Sequence, residues 1–356
     1  MALYSPVRAT IVVKQASVLF RCNASASVGL GHLMRCRTLA GLLRGAGHVC
    51  GMIGPSSALR QPDDAALFQH WQSVDDRGES TRDAARVITL AKAMNAVHLV
   101  MDDYRIDPAY QMLLKAAGLR FLQQFDASKP WDFYADVLVN AGPAENRVDY
   151  AKYLKNAEAQ TLFGPAYAVL RPAFAAQAKQ LDGRPVHRVL IAFGGGDDRG
   201  AISTTLDALT GVPDIIPVVV SGGSNPRNAD LHLRYLETVE LHIDPENLPK
   251  IMAGCDLAII AGGTMSYEAA ICGLPMVLIP LAPNQTRSCD GWAQQTGAMV
   301  MPGLDQLQPT QLRKRVLELI ANDALRLTMA VKGRSLVDGN GGVRLLEALL
   351  LRPLNA

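Results

Sequence analysis

Two α/β halves, each a parallel sheet with helices on both faces, are what this sequence predicts, and three observations carry the prediction. Short, continuously apolar segments recur along all 356 residues. Most run into a turn rich in glycine, serine or acidic residues, and a helical pattern follows the clearest of them. A proline-punctuated stretch then interrupts the pattern, which restarts behind it. Continuous apolar strands alternating with helices belong to parallel sheets covered on both sides. In such sheets ligands bind at the carboxyl ends of the strands.

The first clear strand is Ser17–Cys22 (SVLFRC), which leads through Asn23–His32 (NASASVGLGH) into a helix over Leu33–Arg44. Val97–Met101 (VHLVM) is a second strand, ended by Asp102-Asp103-Tyr104, and Asp136–Asn140 (DVLVN) is a third. Pro165, Pro172 and Pro185 punctuate the segment between Gly164 and Val186. The restart is Arg188–Phe193 (RVLIAF), running into Gly194-Gly195-Gly196-Asp197-Asp198. Ile216–Val220, Asp256–Ile260 and Met276–Ile279 complete the second set. The expected division is 17–175 and 186–350, with an N-terminal extension ahead of Ser17.

Composition narrows the function. Hydrophobic residues make up 49% and charged residues 19%, as in a globular chain with two real cores. Lys+Arg 35 against Asp+Glu 33 gives a net charge of +2, so no broad attraction to nucleic acid is expected. Aromatics at 6% argue against a base-stacking or sugar-stacking platform. Six cysteines with no C-x-x-C pair and no zinc spacing read as reduced thiols in a cytoplasmic protein. The N-terminus lacks the apolar core and cleavage site of a signal peptide, and no apolar stretch is long enough for a membrane span.

Two glycine turns carry the chemistry. Gly29-Leu30-Gly31-His32 sits between strand and helix, where glycines let backbone approach a ligand and the helix start favours negative charge. The dinucleotide fingerprint fails at Met34, and no G-K-S/T follows. What remains is a turn delivering His32, either as a general base or as a plain helix cap. Arg35, one turn on, suits a phosphate or a local carboxylate. Ala261-Gly262-Gly263-Thr264-Met265-Ser266-Tyr267-Glu268 is the strongest motif: its helix start and Thr264 suit a diphosphate, and Glu268 suits ribose hydroxyls. The competing reading is a capping box one residue too long. Gly195 either lines the same cleft or makes a tight turn. Asn284 and Gln285 either read sugar hydroxyls or are ordinary loop amides. Asp102-Asp103-Tyr104-x-x-Asp107 resembles an acidic metal motif, but with no second cluster the favoured reading is hydrogen bonding through Asp103 and Tyr104, without metal.

Taken as an ordered series, these pieces resemble a known group. Arg21-Cys22-Asn23-Ala24-Ser25, Gly29 to Cys36, Asp102-Asp103-Tyr104, Gly164 to Phe174, Ala192-Phe193-Gly194-Gly195, Ala261 to Glu268, Asn284-Gln285 and Val337 to Gly341 are similar to the motifs of bacterial pseudaminic-acid-pathway UDP-sugar hydrolases and related spore-coat-type polysaccharide biosynthesis proteins. The likeness runs from about Leu19 to Leu346. It implies the GT-B architecture, two doubly wound Rossmann-like domains facing a central cleft. It further implies UDP in the second domain with its ribose on Glu268, His32 as the catalytic base, and no cofactor. The implied reaction is hydrolysis of a UDP-linked diacetamido-trideoxy sugar toward a nonulosonate. A glycosyltransferase with a glycan or sugar acceptor, and a silent nucleotide-sugar-binding protein, are the alternatives. The chain departs from the family pattern at Asn23, a candidate catalytic residue where the family opening has an aspartate, and at Phe125-Asp126, where the family has an Asp-Asp pair.

Overall fold

The computed structural model describes residues 15–25, 30–74, 78–126, 130–177, 185–235 and 237–351. Two all-parallel sheets form. The first contains β1 (Ser17–Cys22), β2 (Val49–Gly54), β3 (His70–Ser73), β4 (His98–Asp102), β5 (Arg120–Gln124), β6 (Val137–Asn140) and β7 (Gln160–Phe163), in the order β3-β2-β1-β4-β5-β6-β7. The second contains β8 (Arg188–Ala192), β9 (Ile216–Ser221), β10 (Glu240–Ile243), β11 (Leu257–Ala261), β12 (Met276–Ile279) and β13 (Met299–Val300), in the order β10-β9-β8-β11-β12-β13. The fold class read from the sequence holds: this is the two-domain GT-B architecture.

Apolar burial explains the strands. In β1, Val18 and Phe20 pack toward the Gly31–Gly45 helix, while Leu19 packs on the opposite layer with Ile53 and Leu99. A strand buried on both faces has no use for alternation, and hence reads as a continuous apolar run. The order of each sheet reverses direction at one place, between β1 and β4 in the first and between β8 and β11 in the second. Those switch points leave a crevice at the carboxyl ends of the central strands.

The last helix, Gly341–Leu350, was expected in the second half (186–350) but packs on the first. Leu345, Leu346 and Leu349 join the core under β1, β4 and β6. Arg120, at the start of β5, donates to the backbone carbonyls of Leu349 and Ala348 at 2.9 and 3.0 Å, satisfying carbonyls the helix end leaves open. Gly341 lies where an added Cβ would meet the Ala168 carbonyl at 2.2 Å, so this return requires a glycine. The chain therefore crosses between the halves twice. Among the described residues no helix is long and apolar enough to cross a membrane.

Candidate active site

A cleft of about 340 Å³ opens between the two sheets. Its first wall is built of ionisable side chains. The Gly31–Gly45 helix follows β1 and brings His32 and Arg35 to the cleft, while Asp102 closes β4 on the other side of the switch point. His32 Nδ1 lies 2.5 Å from Asp102 Oδ1. Arg35 grips the same carboxylate from Nε at 2.9 Å and Nη2 at 2.8 Å, and reaches Asp126 from Nη1 at 3.1 Å. The Arg35 Nη2 also stands 3.1 Å from His32 Nδ1. With Nδ1 protonated that approach sets one donor against another, so the carboxylate is the partner of both groups. The tautomer this assigns, Nδ1–H, leaves the lone pair on Nε2.

Burial alone would raise the Asp102 pKa. The Arg35 guanidinium and His32 outweigh it and hold this carboxyl well below the usual range. Burial opposes charge on Arg35 as well, and Asp102 and Asp126 overcome it, leaving Arg35 more firmly protonated than a free guanidinium. Tyr104 stands edge-on to the imidazole, with ring centroids 4.6 Å apart, and its hydroxyl bonds Asp126. Burial first, and then Asp126, push the Tyr104 hydroxyl above its ordinary pKa, so it is a donor.

The second wall is mostly backbone. The Thr264–Cys272 and Pro283–Thr296 helices both begin at the cleft, with no acidic residue in the first turn and no side-chain cap. The Gly31–Gly45 helix begins in the same way from the opposite side. Three helix starts with open N–H groups make the cleft a favourable place for an anion. The walls nearly touch: a Cβ added to Gly31 would stand 3.8 Å from Thr264 Oγ1. Arg287 in the Pro283–Thr296 helix crosses to the first half, bonding Glu145 at 2.6 Å and Asp149 at 2.8 Å.

Several site residues expected from sequence meet here: Gly31, His32, Arg35, Tyr104, Gly262, Gly263, Thr264 and Gln285 all line the cleft. Others stand elsewhere. Asp103 does not face the cleft; it is buried behind it, bonded to Arg105 at 2.8 and 2.9 Å and 3.5 Å from Arg21. Neighbours on a strand point to opposite faces, so only one of the adjacent aspartates could reach His32, and it is Asp102. Asp107 caps the Pro108–Ala116 helix, so the three carboxylates of the acidic motif serve three separate partners. Asn23 is half-buried just past β1, its N–H 3.3 Å from the Asp102 carbonyl, and is not among the cleft-lining residues. Gly195 is exposed at the end of β8 and packs against Gly222.

Glu268 faces inward from its helix, 9% exposed and outside the cleft lining. Burial raises its pKa to about 7, with Arg171 partly offsetting. Gly262 is held bare by packing, since a Cβ there would meet Cys289 Sγ at 2.3 Å. Gly29 lies outside the described residues, as does the side chain of Asn284. Gln124, Asp126, Glu145 and Arg287 line the cleft without having been singled out as site residues. For Asp102 a signal existed: it shares a face of β4 with Val100, which packs under the histidine helix.

Against known proteins, a family model described as Lipid-A-disaccharide synthetase matches residues 205–280. The spore coat polysaccharide biosynthesis protein SpsG of Bacillus subtilis is 30% identical over 225 residues, 61% of this chain and 65% of the relative. The chain thus spans slightly less than two thirds of that relative. The UDP-2,4-diacetamido-2,4,6-trideoxy-beta-L-altropyranose hydrolase of Campylobacter jejuni is 24% identical over 281 residues, 79% of this chain and 97% of the relative. Among solved structures, Acinetobacter baumannii MurG superposes with a TM-score of 0.66 at 15% identity, covering 95% of this chain and all of that one. The spinosyn rhamnosyltransferase SpnG, complexed with its aglycone, gives 0.67 at 15% identity, covering 93% and 99%. These likenesses establish the shared fold.

Proposed function

We propose that the protein is an enzyme acting on a nucleotide sugar, and that it hydrolyses a UDP-linked diacetamido-trideoxy sugar to UDP and the free sugar for nonulosonate synthesis. The observation that carries the reading is His32, held by Asp102, which Arg35 holds in turn, on one wall, directly across from the open start of the Thr264–Cys272 helix on the other. The name of the Campylobacter relative supports the substrate class.

In this reading the diphosphate lies on the backbone N–H groups and hydroxyl at Gly263–Thr264, and the sugar reaches toward the first wall. His32 Nε2 takes a proton from a water molecule. The water oxygen bonds to the anomeric carbon from the face opposite UDP, and the bond from that carbon to the phosphate oxygen breaks with its electron pair leaving on UDP. The Asp102 carboxylate stabilises the imidazolium that forms, and Arg35 keeps Asp102 ionised throughout. The helix starts oppose the charge growing on the departing diphosphate. Glu268 is assigned to the ribose: its carboxyl stands behind the cleft lining, so the ribose hydroxyls must reach past the helix start to meet it. UDP and the sugar are the only partners this chemistry requires.

The test is UDP release from UDP-2,4-diacetamido-2,4,6-trideoxy-β-L-altropyranose by purified protein without acceptor. The expected result is steady release that falls by about 10²–10⁴-fold in His32→Ala, with UDP affinity within about twofold of wild type. The fold shared with MurG and SpnG favours transfer to a sugar or glycan hydroxyl as the second reading. Release that begins only when an acceptor is added would establish that reading instead, and UDP binding without release from any donor would point to a binding protein.

A further inference from the structure

Three adjacent strands of the first sheet, β4, β5 and β6, end in polar residues, Asp102, Gln124 and Asn140, and of these Gln124 and Asn140 line the cleft. Two of the three are fully engaged by the protein. Asp102 holds His32 and Arg35. Asn140 donates to the Tyr150 hydroxyl at 2.9 Å and accepts from the Gly142 N–H at 2.9 Å. Gln124 lines the cleft and is only 6% exposed, yet its Nε2 is buried with no hydrogen-bond partner among the described residues.

That state is costly for a primary amide, because water is lost and nothing replaces it. Packing gives no reason for it. Leu122, two residues earlier on the same face, is plain core beside Val100 and Val137, and an apolar side chain at 124 would continue that column beside Val139 without an orphaned donor. The terminal torsion of a glutamine is broad, so the amide can turn toward a ligand in the cleft without moving the strand. The register sets where that ligand group lies. Met101 pairs with Gln123, which places Gln124 beside Asp102 and therefore on the wall that carries His32.

We infer that Gln124 is a specificity-determining residue for the sugar, its carboxamide N–H donating to an oxygen acceptor on the sugar while UDP is held on the opposite wall. This rests on the reading of the cleft as a nucleotide-sugar site. It extends that reading by dividing recognition between the walls: UDP affinity comes from the second, and discrimination among sugars from Gln124 on the first.

The experiment measures binding, so that it stands apart from turnover. Dissociation constants of UDP and of UDP-2,4-diacetamido-2,4,6-trideoxy-β-L-altropyranose are measured by calorimetry in His32→Ala protein, alone and combined with Gln124→Met. Methionine keeps the volume and removes the donor. The expected result is an affinity for the sugar nucleotide about tenfold weaker in the double variant, with UDP affinity changed less than twofold. If the double variant fails to fold, Gln124→Glu replaces it, with the same loss expected. A sugar nucleotide that binds no better than UDP in the His32→Ala parent, or an advantage that survives removal of the donor, overturns the assignment. A protein that shows the Gln124 effect but releases no UDP in the wild-type form would instead reject the hydrolase and leave the assignment standing.

Discussion

The two walls of the cleft are made differently. The first is a set of ionisable side chains, His32, Arg35, Asp102 and Asp126, each held by another. The second offers mainly main-chain N–H groups at two helix starts that carry no acidic residue. Side chains can be tuned in charge and can exchange protons, so the first wall suits chemistry. Main-chain donors are fixed once the glycine turn and helix are built, so the second suits retention of an anion. The contrast teaches where sequence change should be felt. On the first wall, single side chains should decide rate. On the second, substitutions act through the path of the backbone.

The strongest way to break this comparison is Asp102→Asn. The amide still fits and can accept from His32, but it carries no charge to stabilise imidazolium and leaves Arg35 with Asp126 alone. Turnover is expected to fall by about 10²–10⁴-fold. Stability should also fall, by roughly 1–3 kcal/mol in chemical denaturation, for the lost charge-assisted bonds of a buried cation. The depressed pKa of Asp102 fixes the sign of the pH effect. Its contribution is complete above about pH 4, the ordinary carboxylate range, and drains away only in stronger acid. Unimpaired turnover in Asp102→Asn would remove the first wall from the chemistry.

The second wall is sharpened by a pair of alanine substitutions one residue apart. At Gly262 a Cβ meets Cys289 Sγ at 2.3 Å and the Gln285 carbonyl at 3.2 Å, so the Pro283–Thr296 helix must move. At Gly263 the nearest atom is Gln285 Nε2 at 3.7 Å, an ordinary contact. Gly262→Ala should therefore lose about 1–3 kcal/mol and some UDP affinity, because it displaces a helix start. Gly263→Ala should keep its stability and lose affinity only through crowding of the ligand. Equal melting temperatures for the two variants would contradict the packing account.

The same contrast explains what was legible in the sequence. Strands buried on both faces announce themselves, and Ser17–Cys22, Arg188–Ala192 and Met276–Ile279 stand where their apolar runs put them. β5 reads RFLQQ and carries no such signal. Its arginine is spent on the carbonyls of the last helix and its final glutamine faces the cleft, so tertiary demands overwrite the apolar pattern. The edge strands β3 and β10, HWQS and ELHI, are polar because one side lacks a neighbour. Glycine turns were legible because a backbone site must be written in glycine. The partner of His32 was not legible: two adjacent aspartates stand at the end of β4, and which of them faces the helix depends on the phase of the strand. The return of the last helix to the first half left no local mark, since its apolar face is the same whichever sheet it covers.

Glu268 tests whether a poised side chain stands behind the second wall. Its pKa rises from the ordinary 4.5 to about 7 through burial. Between those values the unfolded chain loses a proton that the folded protein keeps, so stability falls as pH rises and levels off above 7. The difference amounts to at most about 3 kcal/mol. Glu268→Gln should therefore melt with the wild type at pH 4 and be more stable by roughly 1–3 kcal/mol at pH 8. If the ribose assignment is right, the same variant binds UDP more weakly, and stability and affinity move in opposite directions. Melting curves that stay parallel from pH 4 to 8 would show that burial does not control this carboxyl.

Where the walls meet, the expected effect is smallest. Arg287 ties the second half to Glu145 and Asp149 of the first, with a further bond to the Ala144 carbonyl at 3.2 Å. More than half of the Arg287 side chain is exposed, so water and salt compete for these bonds. Close packing secures the same seam nearby: at Gly291 a Cβ would meet the Ala144 backbone nitrogen at 2.6 Å, and Gln295 Nε2 donates to the Pro143 carbonyl. A contact of this kind orients two bodies more than it stabilises them. Arg287→Ala should cost less than about 1 kcal/mol in stability and raise KM for the UDP-sugar by less than about threefold, with kcat unchanged. The wild-type KM should rise between 50 mM and 500 mM salt and lose part of that dependence in the variant. A larger fall in kcat would mean that the ion pairs align the catalytic wall with the donor, and the division of labour between the walls would then have to include the seam that joins them.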